Sequence, residues 1–78
     1  MVGRYRIYAY RNSELRCLPG DYETPEEAKF IFEKHGDTPW CLIGDVDPRT
    51  ERPTYVLHGQ ADAARQVRWL QVHSTRPG

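Results

Sequence analysis

The stretch Thr24-Pro25-Glu26-Glu27 constrains this chain more than any other part of it. A threonine hydroxyl can accept from the free amides of a first helical turn, proline suits the first helical position, and a glutamate three residues after the threonine completes a capping box. A helix is therefore expected to begin at Thr24. The apolar spacing Ala28, Ile31, Phe32, His35 carries it to about His35 on one side, and Gly36 is placed to end it in the left-handed conformation that a residue without Cβ adopts freely.

The segments around this helix read as strands. From Arg4 to Tyr10 polar and apolar residues alternate, with Tyr5, Ile7 and Ala9 on one side and Arg4, Arg6, Tyr8 and Tyr10 on the other. Arg11-Asn12-Ser13 can turn the chain, Asn12 tolerating positive φ, and Glu14 to Leu18 alternates again. The pair is expected to form a hairpin with Leu15 and Cys17 in the core and Arg16 on the outer face beside the tyrosines. Trp40 to Val46 is apolar on both faces at its start, as an inner strand is, and Asp47 to Pro53 is a proline-bounded loop. Thr54 to His58 is the expected return strand, and Ala63, Ala64, Val67 and Leu70 suggest a second helix from about Gln60 to His73. The order ββαββα predicts an α+β domain of two layers over residues 1–73, a mainly antiparallel four-stranded sheet with both helices on one face. Residues 74–78 are expected to be a frayed tail.

A core this small needs its aromatics. Leu, Ile, Val and Phe contribute only 15 of 78 residues, a share that signals disorder when net charge is high; here 11 basic and 11 acidic residues cancel. Nine aromatic side chains make up the difference, so a folded domain is expected. The N-terminal residues form neither a signal peptide nor a spanning helix, which predicts a cytoplasmic protein without membrane partners, its Cys17 and Cys41 reduced.

Catalytic and metal chemistry find little support. His35, His58 and His73 lie far apart, and none stands four residues from another as paired ligands on a helix would. Asp45 and Asp47 are followed by Pro48 and Arg49 where a calcium loop would continue its oxygen ligands, so they read as turn residues. Ser13 and Ser74 have no neighbouring base, and no glycine-rich phosphate loop is present. We expect no enzyme, no cofactor and no metal.

The charge is nevertheless segregated. Residues 1–20 carry four Arg and one Glu, residues 21–47 eight acids and two Lys, and residues 48–78 five Arg and two acids, for net charges of +3, −6 and +3. Within the acidic zone Phe30 lies about 160° from Phe32 around a helix axis, among Glu26, Glu33 and Lys34 rather than in the core stripe. In the second expected helix, Trp69 and Val72 fall outside the core stripe, beside Arg65 and Arg68. In its size, its small αβ layout and its acidic helical zone next to outward aromatics, the chain resembles the small phage-encoded inhibitors, anti-CRISPR proteins among them. That resemblance implies a non-enzymatic protein that binds a host protein or ribonucleoprotein complex and occludes its basic, nucleic-acid-handling surface. The contact residues expected from the sequence are Glu26, Phe30, Glu33, Arg65, Trp69 and Val72, the last two also suiting a homodimer. An alternative is a single-stranded nucleic-acid-binding domain using Arg4, Arg6, Tyr8, Tyr10 and Arg16 on an open sheet face.

Overall fold

A computed structural model describes residues 3–50 and 52–72. Six elements follow one another: β1 (Tyr5–Arg11), β2 (Glu14–Cys17), α1 (Pro25–His35), β3 (Trp40–Val46), β4 (Pro53–Ala61) and β5 (Val67–Gln71). The strands form one sheet in the order β2-β1-β3-β4-β5, every neighbouring pair antiparallel. Because β1 lies between β2 and β3, α1 must cross over β1 to connect them. That connection places the helix on one face of the sheet and, among the described residues, leaves the other without a covering layer. Among the described residues no helix is long and apolar enough to cross a membrane.

The helix starts as its cap predicts. Thr24 Oγ1 accepts from the Glu27 amide at 3.2 Å, while the Glu27 carboxylate reaches back to the Glu23 amide at 2.9 Å. Its end differs from the expectation. Gly36 is extended (φ −69°, ψ 146°) and not left-handed, and glycine is needed there because a Cβ would lie 2.6 Å from the Phe32 ring. Ala28 and Phe32 are buried against Ile7, Ala9, Cys41 and Ile43, with Ile31 partly buried beside them.

The expected four-stranded ββαββα architecture is corrected: the described residues form a five-stranded, mainly β fold with one helix. Residues 60–72 form the end of β4, a tight turn and the edge strand β5. Val67 and Leu70 fit a helical stripe, but Val67-Arg68-Trp69-Leu70-Gln71 also alternates, and the half-buried alternate positions Val67 and Trp69 meet the core. The turn opposes a helix as well. Asp62 Oδ1 accepts from the amides of Ala64 and Gln66, both at 2.9 Å, and Arg65 takes φ 62°.

Register corrects a second expectation. Asn12 (φ 53°) and Ser13 (φ 66°) make a two-residue hairpin turn, which sets Leu15 opposite Tyr10 and Cys17 opposite Tyr8. Cross-strand partners share a face, so Leu15 and Cys17 lie on the uncovered side and Arg16, opposite Ala9, turns to the helix side, where it pairs with Glu14 at 3.0 Å. Cys41 lies on the helix side, so the two cysteines, both free, are separated by the sheet. Residues 73–78, which include His73, Ser74 and the expected tail, lie outside the described residues.

Candidate functional site

The uncovered face is built from alternate residues of all five strands. Leu15 faces Tyr10 across the β2–β1 pair, and Trp40, Gln60 and Arg68 continue in register across β3, β4 and β5. The next row runs Cys17, Tyr8, Leu42, His58, Leu70, and the third runs Arg6, Gly44, Tyr55. The ring of Tyr10 lies on Trp40 with centroids 4.3 Å apart, Trp40 meets His58 edge-on at 4.9 Å, and Tyr8 meets Tyr55 edge-on at 5.5 Å.

Tyr55 belongs to this face because of an irregularity. Pairing steps from Ile43–Leu57 to Gly44–Tyr55, leaving Val56 as the extra residue of a bulge. Without it Tyr55 would share the face of Leu57; with it the ring comes round to Tyr8. Gly44 leaves room for that meeting, since a Cβ there would lie 3.1 Å from Tyr8 and 3.4 Å from Tyr55.

None of the strand positions in these three rows is Asp or Glu. Arg6 lies on the face at one end, its Nε donating to Asp21 at 2.7 Å; that hydrogen bond and charge pairing raise the pKa of its guanidinium. Arg68 lies at the other end, exposed and without an ion pair among the described residues. Burial, and then the neighbouring Cys17, push the Tyr8 phenol up, so its proton is held more tightly than usual. Leu70 is 43 % exposed, and the rings of Tyr8, Tyr10, Trp40 and Tyr55 are half-buried along the sheet surface. His58 Nε2 is enclosed, with no hydrogen-bond partner among the described residues. Comparison of the chain with protein-family models, curated proteins and solved structures returns no match.

Of the residues expected for nucleic-acid binding, Arg6, Tyr8 and Tyr10 come together on this face. Arg4 sits at its margin, its Nε on Asp45 Oδ1 at 2.8 Å, and Arg16 is on the other side. Trp40, Tyr55, His58, Arg68 and Leu70 join them there without having been expected on this face. The alternation of Trp40 with Leu42 was a usable signal for one of them; the bulge that delivers Tyr55 had none.

The residues expected to meet a protein partner divide. Trp69 lies on the helix side, edge-on to Phe32 at 5.9 Å, its Nε1 donating to Glu33 at 2.7 Å and the Lys29 ammonium 5.8 Å from its ring. Gly59 makes space beneath it, because a Cβ would come within 2.5 Å of the indole. Arg65 donates to the carbonyls of Gly36 and Thr38, both at 2.8 Å, and covers Phe32 at 5.6 Å. Glu33, Arg65 and Trp69 are thus engaged inside the protomer, and one of the two side chains expected in a homodimer contact, Trp69, is among them. Val72 follows β5, its amide bonded to Val56. Of the set, Glu26 faces outward without such ties among the described residues, and Phe30, at 57 % exposure, has the Lys34 ammonium 5.3 Å from its ring.

The histidines are equally scattered. His35 is exposed in the last turn of α1, and His58 is across the sheet from it. Among the described residues no three His, Cys, Asp or Glu side chains gather as metal ligands would.

Proposed function

We propose that the chain is a non-enzymatic, cytoplasmic binding domain that holds single-stranded nucleic acid across the open face of its sheet. The observation that carries this reading is a face with four aromatic rings, Tyr8, Tyr10, Trp40 and Tyr55, an arginine at either end and no carboxylate in its strand rows. Bases stack on such rings for about 1–3 kcal/mol each regardless of sequence, and arginines at the margins neutralise the backbone. A net charge of zero does not oppose this, because no acid stands in the strand rows themselves; Asp21 and Asp45 reach the rim through Arg6 and Arg4, and Arg68 carries the charge without an ion pair among the described residues.

The test is a titration of mixed-sequence single-stranded RNA and DNA, followed by tryptophan fluorescence at low salt. Binding should weaken about tenfold or more on Tyr10→Ala and should be lost progressively as salt rises. Failure of either single strand to bind at low salt ends the reading. Arg68→Gln, on an exposed position, separates loss of contact from loss of fold.

A protein inhibitor of the anti-CRISPR kind, which covers a basic surface of a host complex with its acidic helical layer, is a second reading. One observation favours it: Phe30 stands exposed one helical turn from Glu26.

A further inference from the structure

The acids of the first turn of α1 have a structural explanation, since carboxylates there meet the positive end of the helix. Phe30 has none. Its ring forms one wall of an open groove of about 490 Å³ between α1 and the segment that precedes it, lined by Asp21, Tyr22, Glu26, Glu27, Phe30 and Ile31. The groove thus combines an apolar floor with a rim of carboxylates. Asp21 holds Arg6, and Glu27 holds the Glu23 amide, each through one oxygen. Glu26 has no partner within the chain among the described residues and is exposed. The carboxylates do not gather closely enough to chelate a metal ion. They are spread along a groove, as an extended cationic chain would require.

The ring itself shows what it attracts. Lys34, one turn further along α1, places its ammonium 5.3 Å from the Phe30 centroid. We infer that this groove docks an arginine-rich polypeptide segment of a partner protein, one guanidinium taking the place of Lys34 on Phe30 and others pairing with Glu26 and Asp21. The inference rests on the second reading and sharpens it, from a basic surface in general to an extended basic segment. It uses no residue of the aromatic rows.

A fluorescein-labelled nona-arginine peptide is the probe, with the full chain titrated in at moderate salt and anisotropy recorded. The parent is expected to bind, Phe30→Ala to weaken binding about fivefold at unchanged net charge, and Glu26→Lys about tenfold. Lys34→Gln should tighten it by freeing the ring and removing a like charge, while Tyr10→Ala changes nothing. All substituted groove residues are exposed or on the helix surface, so the fold survives. No binding by the parent, or equal binding by parent and Phe30→Ala, overturns the inference. In the latter case, loss on Glu26→Lys alone would leave electrostatic occlusion standing without a groove.

Discussion

Cys17 and Cys41 sit on opposite faces of one sheet, and that difference governs their chemistry. Cys41 is fully buried beneath α1, and burial pushes its thiol up to about 12, only partly offset by hydrogen bonding from the Gly59 backbone and by the charge of Arg65. Cys17 is exposed beside Tyr8. Iodoacetamide at mildly alkaline pH should therefore label Cys17 alone, and Cys41 only after denaturation; equal labelling of both in the native protein would contradict the placement. The same shift has a consequence for stability. Folding raises the Cys41 pKa above its ordinary value of 9.0, so the folded state holds the proton more tightly than the unfolded chain. This contribution is complete below about pH 9 and is lost as pH rises through about 12. The Tyr8 phenol is also raised and acts in the same direction. Urea midpoints measured across that range should fall for the parent and fall less steeply for Cys41→Ala.

At the level of elements, the turn between β4 and β5 also locks the end of α1. Arg65 reaches the Gly36 and Thr38 carbonyls from a backbone held at φ 62°. A cation at the negative end of a helix is well placed, and its conformation is the unfavourable part of the arrangement. Arg65→Ala should therefore cost about 1–3 kcal/mol of stability, and Arg65→Gly about 1 kcal/mol less than that, although both lose the same hydrogen bonds. Chemical denaturation of the two variants decides this; a glycine variant less stable than the alanine one would show that the strain is unimportant. The β1–β2 hairpin illustrates the opposite relation between turn and register. A turn over Arg11-Asn12-Ser13 is one residue too long: Arg11 pairs with Glu14, only Asn12 and Ser13 turn the chain, and counting back from them places Leu15 and Cys17 with the tyrosines. One residue of turn length thus moves both side chains from the core to the open face.

For the whole molecule, zero net charge conceals a division between its two layers. Acids crowd the helix and its flanks, while the strand rows of the uncovered face carry arginines and aromatic rings. Binding on that face should depend on salt in proportion to the phosphates neutralised. Arg68→Gln should lower the slope of log K against log salt by about 0.7, and Glu26→Gln should leave it unchanged. A slope unaffected by Arg68→Gln would remove β5 from the interface. Trp69 makes the contrast clear at this scale. It looked like a hot spot beside arginines, yet it closes the edge of the core through Phe32 and Glu33.

Local chemistry settled what the chain could decide over a few residues. The cap at Thr24, the alternation of β1, the positive φ at Asn12 and the inner character of β3 are all in the order of residues, because each depends on neighbours within a turn or a strand. The remainder depended on partners far apart in the chain. Val67 to Gln71 satisfies both the helical and the strand period, and burial of Trp69 under α1 selects the strand. Tyr55 reaches Tyr8 only through a bulge against β3. Which side chains share the open face is therefore a property of long-range hydrogen-bond register, since a shift of one residue moves a whole strand's side chains to the opposite side of the sheet.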